Sequence, residues 1–145
     1  MLDPWDLDRP DWAIVLGGLP LFSRLRKGQL RKLARLAEFT VFVPGDIVIQ
    51  AGGRSDAFFL ILRGEARVLG AGRARRLLKG DYFGEMGLID GEPRSASIAA
   101  VSELQVMKLP RPQFLKLLEQ DASIARAMLA ELSGRVRRLE RSTTA

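Results

Sequence analysis

Between Phe39 and Leu109 the chain is cut into short runs rich in Val, Ile and Phe, punctuated by Gly, Asp and Pro: FTVFV, PGDIVIQ, DAFFLILRG, EARVLG, ARRLLKGDYFG, SASIAAV and LQVMKL. Branched and aromatic side chains suit a pleated strand, and Gly or Asp between them supplies the turns. Such regular punctuation predicts an all-β barrel or jelly roll.

The flanks read differently. Asp11 before Trp12-Ala-Ile-Val-Leu, with Gly17 following, predicts a short capped helix. From Ser23 to Ala37, Leu25, Leu30, Leu33, Leu36 and Ala37 recur at helical spacing, with Gly28 expected to divide the helix in two. After Pro110 and Pro112 the helical pattern returns with Phe114, Leu117 and Leu118. A long amphipathic helix follows from about Asp121 to Arg141, placing Ile124, Met128, Leu132, Val136 and Leu139 along one stripe. The expected fold is mainly β with flanking helices: a jelly-roll-like β-roll (a double-stranded β-helix) with N-terminal helices and a C-terminal amphipathic helix. Residues 1–18 form an N-terminal helical segment, and 19–145 one domain with the roll over about 39–109 and C-terminal helices over about 111–141.

With 145 residues and 47% hydrophobic side chains, the chain can build a single ordinary core. The longest apolar stretch, Ala13 to Phe22, is broken by Gly17, Gly18 and Pro20, so no transmembrane segment is expected. The acidic start MLDPWDLDRPDW does not resemble a secretory signal, which leaves a cytoplasmic setting as the expectation. Cysteine and histidine are both absent. Disulfides and thiolate metal sites are thereby excluded, and Ser-His-Asp, zinc-hydrolase and metal-cupin chemistry each lose a required part. No catalytic residue and no metal ligand is assigned, and the chain is not expected to be an enzyme. Although the net charge is +6, the basic residues of Arg24–Arg35, Arg63–Lys79 and Arg126–Arg141 are interspersed with Glu38, Glu65, Asp81, Glu119, Glu131 and Glu140. That mixture favours solvated faces over a polyanion surface. A helix-turn-helix would need a segment beyond Arg141, so specific DNA binding by this chain is not expected.

The stretch GDYFGEMGLIDGEPRSAS, Gly80 to Ser97, carries the chemistry. Gly80, Gly84, Gly87 and Gly91 let the backbone approach a ligand and turn N–H groups toward an anionic oxygen. Arg94 offers a planar fork of donors suited to a phosphate, with the Ser95 hydroxyl beside it. Glu85 would repel a phosphate. In a nucleotide site its sensible task is to accept hydrogen bonds from a sugar hydroxyl.

This stretch resembles the phosphate-binding cassette of the cyclic-nucleotide-binding domain family, which includes the bacterial catabolite activator, protein kinase A regulatory subunits and cyclic-nucleotide-gated channels. Phe83-Gly84-Glu85-Met86-Gly87-Leu88 and Pro93-Arg94-Ser95-Ala96-Ser97 meet the family pattern position by position, and Gly45, Gly52, Asp56 and Gly64 fall at its turn positions. The resemblance spans roughly Leu19 to Arg141. It implies a site built from Phe83, Gly84, Glu85, Met86, Arg94, Ser95 and Ala96. Glu85 would take the ribose 2′-hydroxyl, and Arg94, Ser95 and the backbone N–H groups around Gly84, Met86 and Ala96 the cyclic phosphate. A residue of the final helix would cover the purine: Arg135 by position, with Arg138 the second candidate.

The implied function is a regulatory module that binds a cyclic nucleotide and closes its C-terminal helix over it, signalling to a partner domain or protein. Ser95 stands between the Thr common in cGMP-preferring relatives and the Ala common in cAMP-specific ones, and the reading leans to cAMP over cGMP. The stripe from Ile124 to Leu139 could rest on the roll or pair with a second copy as a homodimer. The alternative is a ligand-free β-roll used for protein interaction, in which Glu85 and Arg94 pair with each other.

Overall fold

Two four-stranded antiparallel sheets take up the apolar runs. The computed structural model describes Asp6 and residues 11–54, 56–70 and 75–143. Its strands are β1 (Glu38–Phe42), β2 (Ile47–Ile49), β3 (Ala57–Arg63), β4 (Ala66–Leu69), β5 (Arg75–Leu77), β6 (Tyr82–Phe83), β7 (Ser97–Ala100) and β8 (Leu104–Pro110). One sheet runs β1-β8-β3-β6 and the other β2-β7-β4-β5, so neighbours in space are mostly distant in sequence, as in a jelly roll. The register is explicit: Phe39 faces Met107 and Val41 faces Gln105, while across β3 Leu60 faces Met107 and Ile61 faces Val106.

Alternation along the strands builds the core between the sheets. Ala57, Phe59, Ile61, Leu104 and Val106 come from one sheet, and Ile49, Ala66, Leu77, Ile98 and Ala100 from the other. Phe59 is the centre of an aromatic group. Its ring stacks on Phe83 at 5.2 Å between centroids and meets Phe42 edge-on at 6.4 Å. In β3 the opposite face is buried as well, since Phe58, Leu60 and Leu62 are enclosed like their neighbours. At the edge of its sheet, β1 instead leaves Phe39 and Val41 exposed.

The chain divides into two compact units, Leu36–Leu115, which holds the roll, and Met1–Arg35 with Lys116–Ala145, which holds helices. In the helical unit, α1 (Trp12–Gly17) is capped by Asp11, whose carboxylate accepts the Ile14 N–H at 3.3 Å. A 3₁₀ turn at Pro20–Phe22 leads to α2 (Lys27–Ala34). The helix expected over 23–37 is therefore shorter, and Gly28 does not divide it: Gly28 sits in the first turn, where N–H groups have no intrahelical acceptor to lose. In the roll unit, α3 (Glu85–Asp90) lies between β6 and β7. Next come α4 (Arg111–Gln120), which begins where β8 ends, and α5 (Ala122–Thr143).

Within the helical unit α5 packs on the Pro20–Phe22 turn. Ile124 and Met128 are buried, but the expected stripe does not stay covered along its length: Val136 is 54% exposed and Leu139 67%. Midway along the helix, Glu131 is only 7% exposed, with the guanidiniums of Arg24 and Arg138 at 4.0 and 3.6 Å. Gly134 makes room for both. A Cβ there would stand 3.2 Å from Arg24 Nη2 and 3.3 Å from Arg138 Nη1. Among the described residues no helix is long and apolar enough to cross a membrane.

Candidate functional site

The roll unit carries a solvent-open pocket of about 440 Å³ at the inner side of the β2-β7-β4-β5 sheet. Phe83, Gly84, Glu85, Met86, Arg94, Ser95 and Ala96, the residues expected from the sequence, all line it. They converge because two short segments meet there. The first is the step from β6 into α3. Phe83 ends β6 opposite Phe59 of β3, Gly84 turns the backbone with φ +84°, and Glu85 opens the helix. Only a residue without a side chain adopts that turn at no steric cost.

The second segment, Pro93 to Ser97, is pinned by the loop after β2. The Gly52 N–H donates to the Arg94 carbonyl at 2.8 Å, the Arg94 N–H donates to the Gly53 carbonyl at 3.0 Å, and the Ala51 N–H donates to Ser97 Oγ at 2.9 Å. With its backbone fixed on both sides, Arg94 is aimed rather than free to sample solvent. Its Nη2 donates to the Ala57 carbonyl at the start of β3. Its Nε is buried and has no hydrogen-bond partner among the described residues. Burial pushes the guanidinium below the ordinary arginine value, and the Asp56 carboxylate opposes that shift. A partly desolvated cation with an unused donor is a costly arrangement unless an anion completes it.

Around these polar groups the wall is apolar: Ile49, Val68 and Ile98 project from the inner sheet face, beside the Tyr82 and Phe83 rings. Sequence reasoning did not single out Ile49, Val68 or Ile98, though the alternation of PGDIVIQ, EARVLG and SASIAAV marks each as one of two possible faces. Asp90 and Glu92 also line the pocket, so Arg94 is not part of a broad cationic surface. Leu88 is fully buried, whereas Met86 is 51% exposed at the pocket edge. Arg135 lies half-buried on α5 in the helical unit, with Arg138 exposed on the same helix. Among the described residues no cluster of carboxylates is arranged to hold a metal ion.

Apolar walls with a few convergent polar groups, in a volume within the roughly 300–1,000 Å³ usual for small-molecule sites, suit an anionic ligand with a flat apolar part. Residues 39–121 match the profile of the cyclic nucleotide-binding domain. The chain belongs to this family. The chain is similar to the cAMP-dependent protein kinase regulatory subunit of Emericella nidulans, 37% identical over 118 residues, covering 79% of this chain and 29% of that protein. The corresponding subunit of Schizosaccharomyces pombe is 39% identical over 106 residues, covering 72% and 26% respectively. The chain thus spans less than a third of the length of either relative. Among solved structures, the N-terminal domain of a transcriptional regulator from Streptomyces coelicolor A3(2) superposes with a TM-score of 0.76 at 24% identity, covering 89% of this chain and 94% of that one. That likeness shows the fold alone, a β-roll with flanking helices.

Proposed function

We propose that the pocket binds a cyclic nucleotide, cAMP in preference to cGMP, and that the chain works as a sensor without catalysis. The buried, unpartnered Nε of Arg94 carries this reading. A cyclic phosphate placed against Arg94 would accept from that donor and restore the charge balance that burial upsets. Backbone N–H groups around Gly84, Met86 and Ala96, with the Ser95 hydroxyl, would take its remaining oxygens. Glu85, at the first position of α3 and on the same wall, would accept from the ribose 2′-hydroxyl. Ile49, Val68 and Ile98 offer an apolar surface for the sugar and base.

Output follows from differential contact with two states. On this reading the C-terminal helix closes over the ligand with Arg135 covering the purine, and the closed state is what a partner domain or protein recognises. The kinase regulatory subunits named above make a kinase-linked partner the first candidate, and pairing of α5 with a second copy is a further possible output. Calorimetric titration of nucleotide-free protein with cAMP and with cGMP tests the core of the reading. Saturation near one ligand per chain, tighter for cAMP, is expected. Absence of binding by folded protein would overturn it in favour of a ligand-free interaction module.

A further inference from the structure

Arg111, the first residue of α4, holds the far end of the pocket helix. The helix α3 has six residues and ends at Gly91, whose φ is +69° and whose N–H returns to the Gly87 carbonyl at 2.9 Å. A helix end leaves its last carbonyls without intrahelical donors and carries partial negative charge. Here Arg111 answers both needs: Nε donates to the Leu88 carbonyl at 3.1 Å and Nη2 to the Ile89 carbonyl at 3.2 Å. Gly91 leaves space for this, since a Cβ there would stand 2.8 Å from Arg111 Cζ.

Arg111 is also tied to the strand that Arg94 touches. Its backbone N–H donates to the Asp56 carbonyl at 2.8 Å, and the next carbonyl, that of Ala57, accepts from the Arg94 guanidinium. Two consecutive carbonyls at the start of β3 therefore serve two arginines, one inside the pocket and one at the β8–α4 junction. A second route runs through α3, whose first turn lines the pocket and whose last carbonyls rest on Arg111.

We infer that Arg111 is a positioning residue that couples occupancy of the pocket to the first turn of α4, by gripping the C-terminal end of α3. The inference rests on the proposed nucleotide-binding reading. When a ligand draws Arg94 and the start of α3 toward itself, the end of α3 shifts with them, and Arg111 passes that shift to α4. A point charge could satisfy the helix end. Only the planar fork reaches both carbonyls in fixed geometry.

Amide hydrogen exchange with and without saturating cAMP, on the whole chain, tests the coupling. In the unmodified protein, cAMP is expected to slow exchange about tenfold both in Glu85–Asp90 and in residues 111–115. In Arg111→Met the slowing should persist in α3 but shrink to about twofold or less in the first turn of α4, with Arg111→Lys in between. Should Arg111→Met fail to fold, Arg111→Lys decides alone by the same comparison. Full ligand-induced slowing in α4 of the folded variants overturns the inference. So does an unmodified protein that binds cAMP and protects α3 but not α4, and there the binding reading survives. An unmodified protein that binds no cyclic nucleotide takes down both.

Discussion

The position of Arg94 is made possible by the missing side chain of Gly84. A Cβ at 84 would overlap the Arg94 Nη1 and stand 2.7 Å from the Ala57 carbonyl that the same guanidinium bonds. Gly84→Ala is therefore expected to do two things at once. It forces a left-handed backbone on a residue with a Cβ, costing about 1–2 kcal/mol of stability, and it displaces the guanidinium. Calorimetry should show cAMP affinity falling as far as in Arg94→Ala. Gly28→Ala, where an added Cβ meets nothing within 4 Å, should leave affinity unchanged.

Arg94→Ala and Ser95→Ala separate a charged donor from a neutral one. Charge-assisted bonds are worth about 1.5–3 kcal/mol, so the arginine variant should lose about 10- to 150-fold in affinity. The serine variant should lose about fivefold, the equivalent of about 1 kcal/mol. Equal losses would remove the phosphate role from Arg94.

The ribose role of Glu85 has its own signature. Glu85→Gln is expected to weaken cAMP while barely changing the affinity of 2′-deoxy-cAMP, because the analogue lacks the hydroxyl that the carboxylate would accept from. Competition of both ligands against a fluorescent cyclic nucleotide reads this directly. If both weaken alike, the carboxylate acts on something other than the sugar.

Within the helical unit, Asp121 accepts from Lys32 Nζ at 2.8 Å and from the Ser123 N–H at 3.1 Å. Chiefly through Lys32, then through the Ser123 hydroxyl, its carboxyl is pulled down from 3.8 to about 2. A depressed carboxyl stabilises the fold above its unfolded value and loses that contribution as the pH falls through the folded one. The Tm difference between the parent and Asp121→Asn should thus be full at pH 6 and should close as the pH drops from 3.8 to about 2. Asparagine can still cap the start of α5, so the comparison isolates the charge. A Tm gap that stays constant over this range would sink the assignment.

Gly134→Ala tests the crowded arginines. Alanine gains about 1 kcal/mol of helix propensity over glycine. The atoms its Cβ would meet are the ends of Arg24 and Arg138, whose side chains are 50% and 58% exposed and able to yield. Thermal unfolding should therefore show a small rise in Tm. A fall would mean that the seating of both guanidiniums beside Glu131 matters more than the helix backbone.

Much of the roll was legible because strands announce themselves by alternation and glycine-bounded length, and each run from Phe39 to Leu109 contains strand. The helix α3 was not, since six residues between Gly84 and Gly91 are too few to show a 3.6-residue period. The pocket's cassette could be read as chemistry in a row, Glu85 and Arg94 included, but its apolar wall is assembled from three strands far apart in sequence. Arg111 gave no signal either: one arginine after a proline says nothing about a helix end that lies some twenty residues back. Nor did Glu131, which reads as part of the charged face of an amphipathic helix and is nonetheless buried, with the Arg24 and Arg138 guanidiniums beside it.

The double-sided burial of β3 carries a cost during folding. Ala57 to Leu62 is six residues without a charge, and its partners β8 and β6 arrive only after most of the chain has been made. Until then it is an uncharged segment of high β-propensity, the kind that pairs with copies of itself in other chains. Asp56 and Arg63, one at each end, are the charges that stand against such self-association, as gatekeepers of a strand whose apolar character the core requires. Refolding yield in concentrated solution should accordingly depend on those two surface residues far more than native stability does.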